Sequence, residues 1–423
     1  MDSEKNNHSS LSSTSRGLEW LSQFEPQDQA DAKMLLKAVR WISEAEFSQA
    51  IRENIKIYSK KTKGPIALFI ERELRHPGGV TQRFYKQNRR QPKRAYGAAL
   101  QPIESKRTKG REIGSEGTLA TIATSLVRRK SSKYFLNPSA EEIREKKIRS
   151  FLIITDTVGS GNQANDMLDS MWKVASIRSW FSGNFIKFGV VSFSVTEQGK
   201  NFLESHPSNP TVLFSIPCPT VSSCFGRNES RRILALCSKY DPDKHKDKWS
   251  SLGYGGQGIL IAYAHGAPNN SPNILHKGSK RWMPLFPKRT TIDVLSEMKT
   301  GEFEIDGKAT LERMGQARIA ASEWLHRMDL DALSLLLIMS SLRRPPRTES
   351  AISSRTGIKI PDVERLLQIA IYYGWVTGSH RLTDDGLCQI VYFKKSKKEP
   401  VTMEPLTNFY YYPRSLKAPV SSI

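Results

Sequence analysis

Short apolar runs recur along the middle of the chain and alternate with amphipathic stretches. The runs are typical of buried β-strands and occupy residues 65–74, 148–156, 185–195, 211–219 and 258–266. The intervening stretches 114–129 and 162–175 have the spacing of helices. Because strands alternate with helices, the pattern predicts an α/β domain with a mostly parallel sheet over residues 63–300.

Helical patterns precede this alternation. Residues 1–17 are rich in Ser and Asn and predict a disordered N-terminus, whereas 18–62 read as a helical segment. Within that segment, residues 28–42 carry one continuous apolar stripe. Ser43 is followed three residues later by Glu46, which is the spacing of a capping box and predicts the start of another helix.

The pattern changes again beyond residue 300. Residues 301–328 predict a linker helix, and 396–423 form a tail. Between them, 329–395 predict three helices followed by a hairpin or wing and a terminal helix, with Gly357 supplying the turn before the third helix. This order predicts a C-terminal winged helix-turn-helix domain, which serves either nucleic-acid binding or protein–protein contact.

The net charge of the chain predicts a class of binding partner. The 423 residues carry a formal net charge of +22, which favours a polyanion, most often nucleic acid; a solvated basic surface is the alternative. The four cysteines form no CxxC pair, so a zinc site is not expected. Few cysteines, no apolar leader and no apolar stretch of membrane-spanning length predict a cytoplasmic protein without a membrane partner.

Two regions hold the candidate nucleic-acid contacts. The stretch 83–97 reads as a basic loop in which Phe84, Tyr85 and Tyr96 interleave with Arg and Lys, a composition that suits backbone contact plus base stacking. A solvated loop is an equal alternative there. The winged helix would contribute the start of its third helix and the tip of its wing. The candidates are Arg83, Lys86, Arg89, Arg90, Lys93, Arg94, Lys359, Arg365, His380 and Arg381.

The stretch IITDTVGSGNQ has the features of a phosphate-binding turn. Ile153 and Ile154 end a strand, glycines follow, and a helix begins directly after them, so that free N–H groups can converge on an anion. Asp156 is placed to bind ribose hydroxyls directly or through Mg²⁺. The predicted phosphate-binding residues are Thr157, Val158, Gly159, Ser160, Gly161, Asn162 and Gln163. The alternative is an ordinary strand-to-helix turn, and a Walker A loop is excluded because no Gly-Lys-Ser/Thr ending is present.

Further candidate site residues come directly after other strands or at the starts of helices. Glu71, Arg72 and Arg75 come after the first strand, where arginines would suit a diphosphate, although a surface charge cluster is as well supported. Candidate ligand-pocket residues are Ser115, Glu116, His265, Asn269 and Asn270. The first two equally fit a helix cap, and Asn270 fits a turn. The glycine-rich stretch 253–258 reads as a flexible turn because a strand, and not a helix, follows it.

The turn resembles the loop that binds phosphoribosyl diphosphate (PRPP) in type I phosphoribosyltransferases: an apolar run, two acids, a spacer, then Thr-Thr-Gly-Gly-Thr. By this resemblance Asp156 takes the place of the second acid and residues 159–163 form the 5′-phosphate loop. The diphosphate loop would follow the first strand. Thr155 stands where the family has its first acid, so ribosyl transfer is left open.

The stretches PIALFIERELR, REIGSEGTLATI, AYAHGAPNNSPNIL and the tail YYYPRSL extend the resemblance over residues 20–415. They resemble phosphoribosyltransferase-like proteins joined to a winged helix, found in bacterial conflict systems and including retron-associated effectors. The resemblance implies a type I phosphoribosyltransferase-like sheet and an antiphage effector or toxin. Its ligand would be PRPP or a nucleotide with Mg²⁺, and its partner DNA, a DNA–RNA hybrid or a reverse transcriptase complex. A non-catalytic ligand sensor and a DNA-binding regulator are the alternatives.

Overall fold

The computed structural model describes residues 11–74, 79–89, 92–100, 115–243, 248–298, 306–322, 325 and 328–395. The chain divides into two compact units. The first contains Met1–Glu304 and Lys359–Pro361, and the second contains Ile305–Ile358 and Asp362–Ile423.

The first unit holds all the strands of the described residues. In chain order they are β1 (Arg40–Ile42), β2 (Ile66–Ile70), β3 (Lys86–Gln87), β4 (Ala95–Tyr96), β5 (Tyr134–Leu136), β6 (Ser150–Ile154), β7 (Thr157–Val158), β8 (Lys187–Val195), β9 (Thr211–Pro217) and β10 (Ile261–Tyr263). Its helices are α1 (Ser15–Ser22), α2 (Gln29–Ala38), α3 (Glu44–Lys61), α4 (Glu116–Arg129), α5 (Ala140–Glu145), α6 (Asn162–Trp172), α7 (Ala175–Ser182), α8 (Glu197–Glu204), α9 (Val221–Cys224), α10 (Arg227–Lys239), α11 (Asn273–His276) and α12 (Ile292–Leu295).

A parallel sheet forms the centre of this unit. Its order is β5-β2-β6-β8-β9, and every neighbouring pair is parallel, as the sequence predicts. Successive residues of a strand face opposite sides, so Phe151 and Ile153 enter one core while Leu152 and Ile154 enter the other. Both faces are therefore covered, which explains why β6 reads as an unbroken apolar run.

A third core joins the two ends of the unit. Helices α1 and α2 pack with α10 and α11, and β1 pairs in parallel with β10. Two predictions are wrong here. The helix expected over 28–42 ends at Ala38, and Arg40–Ile42 form a strand because they pair with Ile261–Tyr263. The strand expected over 258–266 consequently belongs to this small sheet and not to the central one.

The N-terminus also differs from expectation. Residues 11–13 form a 3₁₀ turn, and Thr14 caps α1 by accepting the N–H of Gly17. Leu11 is buried, so the part of the expected disordered segment that the structure describes is ordered by core packing. The Ser43 cap of α3 is present, with its side chain accepting the N–H of Glu46.

The regular elements in the described part of the second unit are helices. They are α13 (Gly307–Arg313), α14 (Ala317–Ala320), α15 (Leu330–Ser341), α16 (Glu349–Thr356), α17 (Ile360–Tyr372) and α18 (Asp384–Lys395). Gly357 ends α16 with a φ of 76°, and an antiparallel bridge between Val376 and Leu382 forms the wing before α18. The predicted winged helix-turn-helix order is confirmed.

The stretch expected to be one linker helix differs from that prediction. Two short helices, α13 and α14, occupy the described part of 301–328. Leu311 and Ile319 are fully buried in the same core as Leu337 and Val363, so these helices belong to the C-terminal unit. Among the described residues, no helix is both long and apolar enough to cross a membrane.

Candidate functional site

The central sheet has one topological switch point, which lies between β2 and β6. From β2 the chain moves outward to β5, and then returns to β6 and continues through β8 to β9 on the other side. In open parallel sheets the crevice at such a point, at the carboxyl ends of the strands, is where ligands bind. Glu71 directly follows β2 there, and Thr155 with Asp156 directly follows β6.

Glu71 and Thr155 are hydrogen-bonded across this crevice. The Glu71 N–H donates to the carbonyl oxygen of Ile154 at 2.8 Å, which continues the strand pairing by one residue. The Thr155 hydroxyl donates to Oε2 of Glu71 at 2.5 Å. Asp156 turns back and accepts the N–H of Thr157 at 2.5 Å. Two carboxyl groups therefore meet at this edge, one from each strand.

The two carboxyl groups have opposite pKa shifts. Burial, the largest cause, and the nearby charges of Asp156 and Glu116 together raise the pKa of Glu71 to about 8, against the hydrogen bond from Thr155. Burial alone would also raise the pKa of Asp156, but the positive charge of His265, the Ser115 hydroxyl and the Thr157 N–H hold that pKa below its usual value. At neutral pH the pair holds one proton, on Glu71.

His265 lies between two carboxylates. Its Nε2 is 3.7 Å from Oδ2 of Asp156, and its Nδ1 is 3.5 Å from Oε2 of Glu44. These are ion-pair distances, and neither ring nitrogen has a hydrogen-bond partner among the described residues. Burial would lower the pKa of His265, but Asp156 and Glu44 together raise it to about 9. The side chain, 10% exposed, is therefore an imidazolium at neutral pH.

Tyr263 holds the His265 ring in position beside Asp156. Its ring stacks on His265 with centroids 5.0 Å apart and an interplanar angle of 9°. Its hydroxyl lies 2.6 Å from the Thr157 hydroxyl and 3.0 Å from that of Ser194. The imidazolium and the backbone beside Asp156 are thus held by one buried ring.

The loop from Gly159 to Gly161 presents unused N–H groups. None of the hydrogen bonds found among the described residues has the N–H of Gly159, Ser160 or Gly161 as its donor. Gly161 has a φ of 83° and directly precedes α6, whose first N–H groups point the same way. The carbonyl of Gly159 accepts the hydroxyl of Thr196 at 2.6 Å, which orients the peptide. This geometry is suited to an anion.

The glycine-rich stretch 253–258 lies against this loop. A Cβ placed on Gly255 would come within 3.6 Å of Ser160, and Asn162 donates to the Tyr254 hydroxyl at 3.3 Å. Gly253, Gly255, Gly256 and Gly258 all have positive φ. The stretch is a turn, as predicted, but it also borders the phosphate loop.

Arg72 is buried with donors left over. The residue is 8% exposed, and its Nε and Nη2 have no hydrogen-bond partner within the part of the chain that the structure describes. Its guanidinium lies 5.8 Å from the centroid of the Phe84 ring. Burial lowers its pKa, while the charge of Glu116 raises it. A buried, undersatisfied guanidinium beside the crevice fits an anionic ligand. Arg75 lies outside the described residues.

The other candidate ligand-pocket residues lie in two places, at the start of α4 and beside the glycine-rich stretch. Ser115 occupies the N-cap position of α4 without making the cap hydrogen bond; its hydroxyl instead lowers the pKa of Asp156. Glu116 acts on Glu71 and Arg72 through its charge. Asn270 is buried and donates to the carbonyl of Tyr254 at 2.9 Å, and its side chain covers Gly159. Asn269 is exposed and accepts the Tyr254 N–H.

A cleft of about 370 Å³ opens beside the acid pair. Its lining comes from α3 and α4 together with His265; the helix residues are Glu44, Ser48, Arg52, Gly117, Thr118, Thr121 and Ile122. Because His265 also faces Asp156, a molecule in this cleft would be separated from the acid pair by one imidazole ring.

The sequence predicts a loop over residues 83–97, but the structure has a paired hairpin there. β3 and β4 pair antiparallel, with Lys86 opposite Tyr96, and form a small hairpin. Phe84 and Tyr85 are buried, so the expected base stacking is left to Tyr96 alone, which is 46% exposed. The basic candidates Arg83, Lys86, Arg89, Lys93 and Arg94 are exposed, and Arg90 lies outside the described residues.

Of the candidate nucleic-acid contacts in the winged helix, Arg365 and His380 already contact other residues of the domain. Arg365 donates to both carboxylate oxygens of Asp331, at 2.8 and 3.2 Å. His380 has a φ of 58° and its Nδ1 lies 3.0 Å from the carbonyl oxygen of Arg347. Lys359 is half-buried just before α17, and Arg381 is exposed on the wing.

Sequence analysis missed Glu44 and Tyr263. The proximity of Tyr263 and His265 in sequence is a signal that could have drawn attention to Tyr263, since the turn at residues 263–266 stacks the two rings. Glu44 gave no such signal, because it approaches His265 only through the packing of α3. Among the described residues, no group of three or more His, Cys, Asp and Glu side chains is placed to hold a metal ion.

Comparison with known families gives two matches. The model of the PRTase-CE family, where PRTase abbreviates phosphoribosyltransferase, matches residues 18–288. The model described as wHTH-PRTase associated matches residues 336–418. No curated protein and no solved structure matches the chain.

Proposed function

The chain belongs to the PRTase-CE family, and from this premise we propose that its α/β domain binds PRPP or a nucleotide at the β2–β6 crevice. The observation that carries the proposal is the meeting of Glu71 and Asp156 through Thr155. Type I phosphoribosyltransferases, which the turn resembles, place two acids at this point. Here the second carboxyl comes from the neighbouring strand.

The parts of the ligand would be bound by different elements. Its 5′-phosphate would accept the N–H groups of Gly159, Ser160 and Gly161 and those of the first turn of α6. Its diphosphate would pair with Arg72, which satisfies donors that otherwise remain buried and unused. The ribose hydroxyls would bond to Asp156 and Glu71. In this arrangement each polar group of PRPP meets a group of suitable charge.

The donor set of the crevice fits Mg²⁺. Carboxylate oxygens are the ligands that Mg²⁺ takes from proteins, and it usually combines one or two of them with water and substrate phosphates. Asp156 and Glu71 would hold the ion together with oxygens of the ligand. The ion would supply neutralisation of the diphosphate charge.

The C-terminal winged helix is proposed to bind nucleic acid, as DNA or a DNA–RNA hybrid, or a reverse transcriptase complex that carries it. On the resemblance to conflict-system proteins, the whole chain would act as an antiphage effector of the retron type and be toxic when active. All four cysteines are described and none forms a disulfide, which suits a reducing compartment, so a cytoplasmic location is part of the same proposal.

A non-catalytic sensor is the second candidate. The raised pKa of Glu71 favours it, because a neutral carboxyl donates a hydrogen bond rather than attracting a cation. PRPP binding without release of diphosphate would support the sensor, whereas diphosphate release that depends on Asp156 would support a transferase.

Calorimetry on the full chain tests the proposal. PRPP and a set of nucleotides are titrated with and without Mg²⁺ into the wild type and Asp156→Asn. We expect binding in the presence of Mg²⁺, weakened about tenfold or more by the substitution, because a charge-assisted contact is lost. Asp293→Asn makes the same change at an exposed position in α12 and should bind like the wild type.

Cell growth gives a second readout. Expression of the wild type is expected to slow growth, and Asp156→Asn should relieve the effect while Asp293→Asn does not. If neither PRPP nor any nucleotide binds, the proposed function is wrong. If binding is normal in Asp156→Asn, the crevice is not the site.

A further inference from the structure

The hairpin formed by β3 and β4 carries a dense and uniform charge. Residues 79–100 contain six basic residues and no acidic one. Five of the six are described, and all five are exposed; they are Arg83, Lys86, Arg89, Lys93 and Arg94. These five residues are called the basic hairpin below. Such a concentration of one sign on a single short element creates a strong local potential.

The basic hairpin is held rigidly. Phe84 and Tyr85 are buried beneath it, and the Tyr85 hydroxyl donates to the carbonyl of Pro138 at 2.8 Å. The Phe84 N–H donates to the carbonyl of Ser170 at 3.0 Å, and the Ala95 N–H donates to the Ser176 hydroxyl at 2.9 Å. Because its backbone is fixed to α6, α7 and the segment before α5, the charged side chains project from a preformed platform.

Four of these five charges have no ion-pair partner among the described residues; they are those of Arg83, Lys86, Arg89 and Arg94. The neighbouring acid Glu141 is already engaged, since its carboxylate accepts the Gly97 N–H at 3.0 and 3.1 Å and lies 3.5 Å from Arg144. Arg144 itself acts on Arg94 as a like charge, which adds to the positive potential.

The third helix of the winged domain has the opposite character. Its first turns carry Asp362 and exposed Glu364, and Arg365 is bonded to Asp331. Phosphates are repelled by such acids. A surface suited to phosphates is therefore better developed on the basic hairpin than on α17.

We propose that the basic hairpin is a nucleic-acid-binding surface of the α/β domain, separate from the winged helix. It would contact phosphates and not bases, because Phe84 and Tyr85 are buried and only Tyr96 remains for stacking. Binding through it would be independent of sequence and strongly dependent on salt. Binding at this surface does not require the ligand proposed for the PRPP crevice.

Fluorescence anisotropy on the full chain tests this surface. The probes are two 30-base-pair duplexes of unrelated sequence, at a series of salt concentrations. The variant is the triple substitution Lys86→Gln, Arg89→Gln and Arg94→Gln. We expect its affinity to fall equally for both duplexes, and the slope of log K against log salt to flatten by about 2.7, since each phosphate contact contributes about 0.9.

A matched control removes the same charge elsewhere. Lys56, Lys60 and Lys61 are exposed on α3, which packs on the opposite face of the central sheet from the hairpin. Their triple substitution by Gln should leave the slope near the wild-type value. Equal losses in the two variants, or no loss in the hairpin variant, would overturn the proposal. So would binding to vesicles of anionic lipid that is lost in the hairpin variant while duplex binding is kept.

Discussion

The hydroxyl of Thr155 lies 2.5 Å from Oε2 of Glu71 and joins the carboxyl ends of β2 and β6. Thr155 stands where the related transferases have an acid, yet the crevice does not lack a second carboxyl. Glu71 supplies it from the adjacent strand. The acid pair is therefore divided between two strands, and its two members differ in protonation at neutral pH.

Binding of Mg²⁺ and PRPP at the acid pair should release a proton near pH 7. Glu71, with a pKa of about 8, is mostly protonated there and must ionise to hold a cation. Calorimetry in buffers of different ionisation enthalpy measures the number released, which we expect to approach one at pH 7 and to vanish above pH 9. Glu71→Gln should remove the release. An unchanged proton count in that variant would show that another group ionises.

His265→Gln should alter stability in a defined pH window. The folded-state pKa of about 9 lies above the ordinary 6.5, so the protonated ring stabilises the fold fully below pH 6.5, and this contribution is lost as pH rises through 9. We expect the variant to be less stable than the wild type at pH 6 and close to it at pH 10. Thermal unfolding at both values measures the difference. A deficit independent of pH would mean that only packing against Tyr263 is lost.

Arg72→Met separates ligand binding from folding. The substitution removes a buried cation with unsatisfied donors, so the free energy of unfolding should stay constant or rise by about 1 kcal/mol. The affinity for PRPP should nevertheless fall about tenfold or more, because the diphosphate loses a charged donor. Arg129→Met, at an exposed position of α4, serves as the control. A clear loss of stability in Arg72→Met would indicate a structural role instead.

Gly161→Ala tests the shape of the phosphate loop. The left-handed conformation, with φ of 83°, costs a residue with a side chain about 1 kcal/mol, and the new Cβ would lie 3.1 Å from the carbonyl oxygen of Gly199. Gly97→Ala carries the same backbone strain, at φ of 79°, with no atom within 4 Å. Both variants should melt earlier than the wild type, but only Gly161→Ala should bind PRPP more weakly. Equal affinities would place the phosphate elsewhere.

Local pattern was enough to predict the strand and loop of the crevice. Phe151 to Ile154 form a strand because both faces of the sheet are covered, and an apolar run of that length followed by glycines is a local signal. The winged helix was predictable for the same reason, since Gly357 and the apolar face beginning at Val363 are local as well.

Contacts between distant segments were not predictable from local pattern. Glu71 and Thr155 are 84 residues apart, and their hydrogen bond depends on the order of strands in the sheet. Trp41 and Ile42 continue a helical stripe, and only pairing with β10 turns them into a strand. Phe84 and Tyr85 were read as exposed because their neighbours are basic, but the hairpin buries them.

The pairing of β1 with β10 has a consequence for synthesis of the chain. Arg40 and Ile261 are partners although more than 200 residues separate them, and the core that α1 and α2 share with α10 and α11 depends on the same late segment. The first helices to leave the ribosome must therefore wait with their apolar faces exposed until almost the whole domain has been made. We expect nascent chains that stop before β10 to be held by chaperones, so that the crevice is completed only when most of the α/β domain has been translated.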